Sequence, residues 1–220
     1  MKHNCHYVYA MPPTGLRRAP RQQRSQDTLD RLVTSAERAL ERDGFDGIRL
    51  QDVARAAGVT VGAFYARFPN KDALLRHLEA GVRHELAAAM DTACDGSDDR
   101  AIGELAFGVF RSLARVYERH RGVVRAVTMR AQSDAATRRR RFAANQAVIE
   151  RFVGTVYARR AEIGHPRPAD AIRLAMLFVG ASLRELLVFR EFSPGPPPPV
   201  EPIVKELTAA FLAYLEVKRA

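Results

Sequence analysis

The stretch L-Q-D-V-A-R-A-A-G-V-T-V-G-A-F-Y-A-R-F, Leu50 to Phe68, constrains the fold more than any other part of this sequence. Two short apolar-periodic runs meet at Gly58, with only Val59 and Thr60 before the second begins. Glycine tolerates the left-handed backbone that stops a helix abruptly, and threonine is a good N-cap for the next. Ala54 supplies the small side chain that two steeply crossing helices need where they approach closest. The pattern predicts a helix-turn-helix in which Val53, Ala57, Val59 and Phe64 hold the two helices together. Thr60, Val61, Gly62, Ala63, Tyr65, Ala66 and Arg67 then fall on the exposed side. That face has little bulk, so its backbone is able to lie against another surface. A DNA major groove admits one helix, and the second helix of such a unit enters it N-terminus first.

Helical spacing continues on both sides. Leu29, Leu32, Val33, Ala36, Ala39 and Leu40 predict a helix from about Ser25 that Gly44 ends. A long helix is expected from Lys71 or Asp72 to about Ala93, then a loop at D-G-S-D-D, 95–99. Further helices are expected near 100–119, 122–131, 134–162, 168–191 and 200–218, the last after the stiff connector P-G-P-P-P-P at 194–199. No strand-like alternation and no internal repeat interrupts them. The fold class is all-α, divided into an arm at 1–24, a three-helix unit at 25–75 and a larger helical domain at 76–220.

Composition excludes several function classes. At 220 residues the chain has room for an ample core. Its net charge of +10 hints at a polyanionic partner without locating one. The sharper signal is residues 1–24, where Lys2, Arg17, Arg18, Arg21 and Arg24 face no acidic residue. Cys5 and Cys94 make no disulfide framework and fit a reducing cytoplasm. No continuous apolar leader opens the chain, so no secretory signal is expected. The most apolar run, Leu174 to Leu183, is too short for a bilayer and is bracketed by Arg173 and Arg184, so no membrane partner is expected. G-x-S-x-G, H-E-x-x-H, paired C-x-x-C and G-x-x-x-x-G-K-S/T motifs are all missing, and His77, His84 and His120 have no evident acid or nucleophile partner. No enzymatic activity and no cofactor are therefore expected. His3, Cys5 and His6 lack further ligands at metal spacing, so no metal site is expected either.

From about Leu29 to Leu78 the chain resembles the DNA-binding domain of the TetR (tetracycline-repressor) family of transcriptional regulators. The residues that carry the resemblance are A-L-E-R-D-G-F at 39–45, L-Q-D-V-A-R-A-A-G-V-T at 50–60 and V-G-A-F-Y-A-R-F-P-N-K-D-A-L-L at 61–75. It implies double-stranded DNA as the partner, with Tyr65 and Lys71 in the family's phosphate-contacting positions and Thr60, Gly62 and Ala63 at the groove-facing start of the recognition helix. Val61 and Arg67 complete the expected contact set. The family usually has Ser or Thr capping the second helix and touching a phosphate. Arg49 stands there in this chain, unable to cap but able to reach a phosphate as a charged donor. Because few side chains remain for bidentate bonds to bases, recognition is expected to lean on methyl contacts, backbone near Gly62 and DNA shape.

The resemblance further implies that the C-terminal domain dimerises and binds an unidentified small-molecule inducer. The last two helices are more apolar than singly exposed helices need, and Gly180, Ala181 and Ser182 permit close approach, so they are the expected homodimer interface. Phe107, Phe110, Tyr117, Met129, Phe152 and Met176 either pack the core or line a ligand cavity, with Arg130 beside them for an anionic group. Arg17, Arg18, Arg21 and Arg24 either form an idle leader or follow the DNA backbone. T-R-R-R-R at 137–141 reads as a solvated face, or else as a surface for an acidic partner. The resulting expectation is a homodimeric, ligand-responsive repressor on a palindromic operator, in the cytoplasm. The alternatives are a helical-domain enzyme or a basic adaptor without sequence-specific DNA binding.

Overall fold

The structure, a computed structural model, describes residues 21–95, 100–192, 195–196 and 199–218. Lys2, His3, Cys5, His6, Arg17 and Arg18 lie outside the described residues. Nine α-helices occur among those described, in the order α1 Arg21–Gly47, α2 Leu50–Ala56, α3 Val61–Tyr65, α4 Lys71–Cys94, α5 Ile102–Arg119, α6 Arg121–Ser133, α7 Ala135–Tyr157, α8 Pro168–Leu187 and α9 Val200–Tyr214. Among the described residues no strand forms; a single antiparallel bridge joins Ile163 to Val217.

Helix ends follow local chemistry. Gly44 breaks the helical backbone of α1 at φ 67°, ψ 178°, where the sequence puts its stop. The start of α1 is different: it opens at Arg21, four residues before the expected Ser25. Asn70 caps α4 by accepting a bond from the Ala73 amide at 2.8 Å. Asp134 caps α7, accepting from the Thr137 amide at 2.8 Å, and the Thr137 hydroxyl and amide hold its carboxyl down at about 2. The expected helix at 134–162 ends early, at Tyr157, and is followed by a 3-10 turn at Arg160–Glu162. There the chain folds back on its C-terminal end, with Gly164 N donating to Glu216 O at 3.1 Å and Lys218 N to Glu162 O at 3.0 Å.

Two apolar cores result. The first gathers Leu32, Ala36, Leu40, Ile48, Val53, Ala54, Phe64, Phe68, Leu74 and Leu78 from α1 to α4, and reaches Val123 and Val127 of α6. The second joins α4, α5, α7, α8 and α9 around Phe110, Phe152 and Phe211, whose rings pack with centroids 5.3–6.0 Å apart. α4 contributes to both, Leu74 to Val82 in the first and Met90 and Cys94 in the second. Around these cores the arginines meet carboxylates on other helices: Arg125 with Glu191, Arg130 with Asp72, Arg151 with Asp91, Arg173 with Glu150, Arg190 with Glu118. Among the described residues no helix is long and apolar enough to cross a membrane.

Candidate functional site

The turn between α2 and α3 is built as a Schellman stop followed by a cap. Gly58 sits at φ +66°, Val59 N donates to Ala54 O at 3.0 Å, and Gly58 N donates to Arg55 O at 3.1 Å. A methyl group at Gly58 would meet nothing within 4 Å, so the backbone dihedral, not crowding, requires glycine. Thr60, in extended conformation, accepts from the Ala63 amide at 3.1 Å and starts α3. Phe64 is fully buried and packs edge-on against Tyr65 and tilted against Phe68, each with centroids 5.7 Å apart. These contacts fix the rotation of a helix only five residues long.

That rotation turns Thr60, Val61, Gly62, Ala63, Tyr65 and Ala66 to solvent, with Val61 42% and Tyr65 43% exposed. Arg67 departs from the expected exposed set. It is only half-buried, and its guanidinium donates to the Ser25 hydroxyl at 2.7 Å and the Ser25 carbonyl at 3.0 Å. The bond ties the start of α1 to the end of α3, a pairing across 42 residues that no local pattern announces. Lys71 donates to the Asp46 carbonyl at 3.0 Å, which holds its ammonium beside the loop that precedes Arg49. Arg49 is exposed at the start of α2 with no side-chain cap bond, as expected of an arginine there. Arg21 and Arg24, placed by the sequence in an arm, belong to the first turns of α1, where Arg24 is exposed.

A cavity of about 370 Å³ lies between α4, α5, α6, α7 and α8. Val82, Leu86 and Met90 of α4, Val123, Val124 and Val127 of α6 and Val148 of α7 give it aliphatic walls. Of the aromatic, methionine and arginine set expected around a ligand, only Tyr117 lines it. Phe110, Phe152 and Met176 are buried in the second core instead, and Phe107 packs at its edge beneath Arg111. Met129 is 50% exposed on the outer side of α6. Arg130 faces away as well, paired with Asp72 at 3.1 Å and stacked 5.9 Å from the Phe45 ring centroid. Helical spacing marks Phe110, Phe152 and Met176 as buried but not which side of the bundle they fill, and it does not mark Met129 as exposed.

The arginine run is a solvated face only in part, with Arg138 and Arg139 exposed and Arg140 and Arg141 half-buried. Thr137 is buried, and Arg138 donates to the Ala131 carbonyl at 3.2 Å, closing the end of α6. Arg140 pairs with the buried Glu79 at 3.4 Å. Arg141 lines the cavity.

A seam joins the cavity region to the helix-turn-helix. Gly122, at the start of α6, rests on α1 so closely that a Cβ there would lie 2.7 Å from the Glu41 amide nitrogen. Beside it His120 bonds Glu37 of α1 through Nδ1 and Glu85 of α4 through Nε2, both at 2.8 Å. The Glu37 bond, helped by Glu85, raises the imidazole above its ordinary value against the opposing effect of burial. Arg119 and Arg121 flank it, paired with Glu85 and Glu41.

Residues 32–78 match the family model described as bacterial regulatory proteins, tetR family. Solved structures share the fold over most of the chain. PfmR of Thermus thermophilus, a TetR-family transcriptional regulator, has a TM-score of 0.65 at 19% identity, covering 87% of this chain and all of its own. A transcriptional regulator from Rhodococcus sp. Rha1 has a TM-score of 0.67 at 18% identity over 86% of this chain and 98% of its own. GusR of Salmonella enterica has 0.64 at 16% over 86% and 95%. Among curated proteins, none matches the chain by sequence. Residues 32–78 therefore carry a helix-turn-helix of the tetR-family type, and the all-helical fold around it is the one these TetR-family structures share.

Proposed function

We propose that the chain is a cytoplasmic transcriptional repressor that binds a palindromic operator as a homodimer and releases it when a small molecule enters the cavity. The observation that carries the reading is the solvent-facing α3 surface of Thr60, Val61, Gly62 and Ala63, held by Gly58 and Phe64. Its low bulk suits close approach to the floor of a major groove, with Val61 and Ala63 offering methyl contacts. Tyr65 and Lys71 would hold phosphates on either side, and Arg49 would hold another from the start of α2. Arg67 acts indirectly, positioning α1 through Ser25. Arg24, and Arg17, Arg18 and Arg21 with it, would lie along the flanking backbone.

Dimerisation is supported by an apolar patch on the last two helices. Leu174, Leu177 and Phe178 of α8 are 40–54% exposed, and Tyr214 of α9 packs against Phe178 with centroids 6.3 Å apart. A twofold pair through this patch would set two recognition helices on half-sites about 34 Å apart. Ligand response is supported by continuity: α4 starts at Lys71 in the DNA-facing unit and lines the cavity from Glu79 to Asp91. α6 lines it too and rests on α1 at Gly122. A ligand that favours one arrangement of α4 and α6 would shift the spacing of the recognition helices.

The test is selection of bound sites from random duplex DNA, followed by fluorescence anisotropy on the enriched site. A palindrome should enrich, and Tyr65→Ala and Lys71→Ala should each weaken binding by at least about tenfold, the loss of one charge-assisted or groove contact. Failure to enrich any sequence, or unchanged affinity in both variants, would overturn the reading.

A further inference from the structure

We propose that the cavity takes an amphipathic carboxylate, a single anionic head on an apolar body, with Arg141 of α7 and Arg184 of α8 holding the head. The inference rests on the reading of this cavity as the inducer site and names the chemical class of the ligand. Four arginines and two carboxylates reach the cavity wall. Two of the arginines are neutralised within the chain: Arg83 pairs with Glu79 at 3.5 Å, and Arg151 pairs with Asp91 at 3.2 Å. Glu79 is shared further with Arg140, outside the cavity. Arg141 and Arg184 have no carboxylate within 4 Å among the described residues, and Arg184 donates only to the Gly180 carbonyl of its own helix at 3.2 Å.

The two guanidiniums also oppose each other. Burial among aliphatic side chains, and then the like charge of Arg184, pull the Arg141 guanidinium below its ordinary range, while Tyr117 and Glu79 act the other way and more weakly. A protein that closes two like charges into an apolar wall leaves a site whose strongest unmet demand is an anion. A carboxylate satisfies it with charge-assisted, forked hydrogen bonds that gain strength in the low-dielectric surroundings. A cation would add a third positive charge, and a neutral alcohol would leave both guanidiniums without a counter-charge. The rest of the wall is mainly aliphatic, Val82, Leu86, Met90 and Val127 among it, with Tyr117 and Asn145 as its uncharged polar members, which calls for a body that is largely hydrocarbon. At about 370 Å³ the space is at the small end of the ~300–1,000 Å³ range of small-molecule sites, so the body is a medium alkyl chain or a single aryl group.

The test titrates the full chain, without DNA, by isothermal calorimetry with decanoate, 1-decanol and decylamine at pH 7.5. Decanoate should bind at least about tenfold more tightly than decanol, a difference of about 1.4 kcal/mol, and decylamine should be the weakest. Arg141→Leu with Arg184→Leu should bring the preference for decanoate below about threefold while decanol affinity holds. Arg141→Lys, which keeps the charge, should keep the preference, and it serves as the measurement if the leucine variants fail to fold. Equal binding of decanoate and decanol, tighter binding of decylamine, no binding of any of the three, or a preference that survives loss of both arginines would overturn the proposal. Because no DNA is present, such a failure leaves the operator test standing, and failure to select an operator leaves this preference measurable.

Discussion

The turn between α2 and α3 and the seam between α1 and α6 both place a glycine where two helices meet, for opposite reasons. At Gly58 the space for a side chain is open and the backbone conformation forbids one. At Gly122 the backbone is ordinary helix, and the space is filled by the Glu41 amide and the Leu40 carbonyl carbon. The first constraint is local and sits within a few residues of the parts it joins. The second depends on which helix arrives from 81 residues away in sequence, at Glu41. A junction encoded by dihedral preference tolerates changes that a junction encoded by contact does not.

The largest expected effect lies at the seam. Gly122→Val forces a side chain onto backbone atoms that cannot rotate aside, and should cost about 3 kcal/mol. For a chain of this size that lowers the melting temperature by roughly 6–12 °C. Thermal unfolding of the variant checks it, and a loss under about 1 kcal/mol would show that α6 and α1 part easily.

His120 gives an intermediate effect with a pH signature. Its folded-state value is raised, so its contribution is fully present below the ordinary value of about 6.5 and is lost as pH rises through the raised one. His120→Ala should therefore lose about 2 kcal/mol near pH 6, the scale of hydrogen bonds to charged groups, and the gap to wild type should narrow toward pH 9. Urea unfolding of both proteins at the two pH values measures this. A gap independent of pH would mean that the imidazole bridges Glu37 and Glu85 without carrying charge.

The smallest effect belongs to the turn. Gly58→Ala meets no atom but places an L-residue at φ +66°, for about 1–2 kcal/mol. Urea unfolding should rank it below Gly122→Val. The reverse order would mean that crowding is not what sets the seam apart.

The same contrast explains what the sequence made legible. The stop at Gly58, the cap at Thr60 and the buried Phe64 follow from each residue's own preferences and its near neighbours, and the structure has each in that role. The bond from Arg67 to Ser25 is not legible in the same way, because its partner lies across a tertiary contact. Phe107, Phe110 and Phe152 of the expected cavity set belong to the second core for a related reason: 3.6-residue spacing gives the buried face of a helix, not which neighbour fills it. Arg141 sits in a run of four arginines that composition reads as solvated, yet successive positions on a helix point about 100° apart. One of them meets a carbonyl, one meets Glu79 and one meets the cavity.

The ion pairs that link the helices bear on how a duplex would be held as ionic strength changes. Arg119, Arg121, Arg125, Arg130, Arg140, Arg151, Arg159, Arg173 and Arg190 each meet a carboxylate of their own chain, so their charge is already balanced before any phosphate arrives. Counterion release counts only the cations that replace ions on the DNA, at a slope of about −0.9 per phosphate contacted. The gross count of 35 basic side chains therefore overstates the salt sensitivity of each subunit, and the slope would report a few side chains around the α2–α3 turn, Arg49 and Lys71 first among those described.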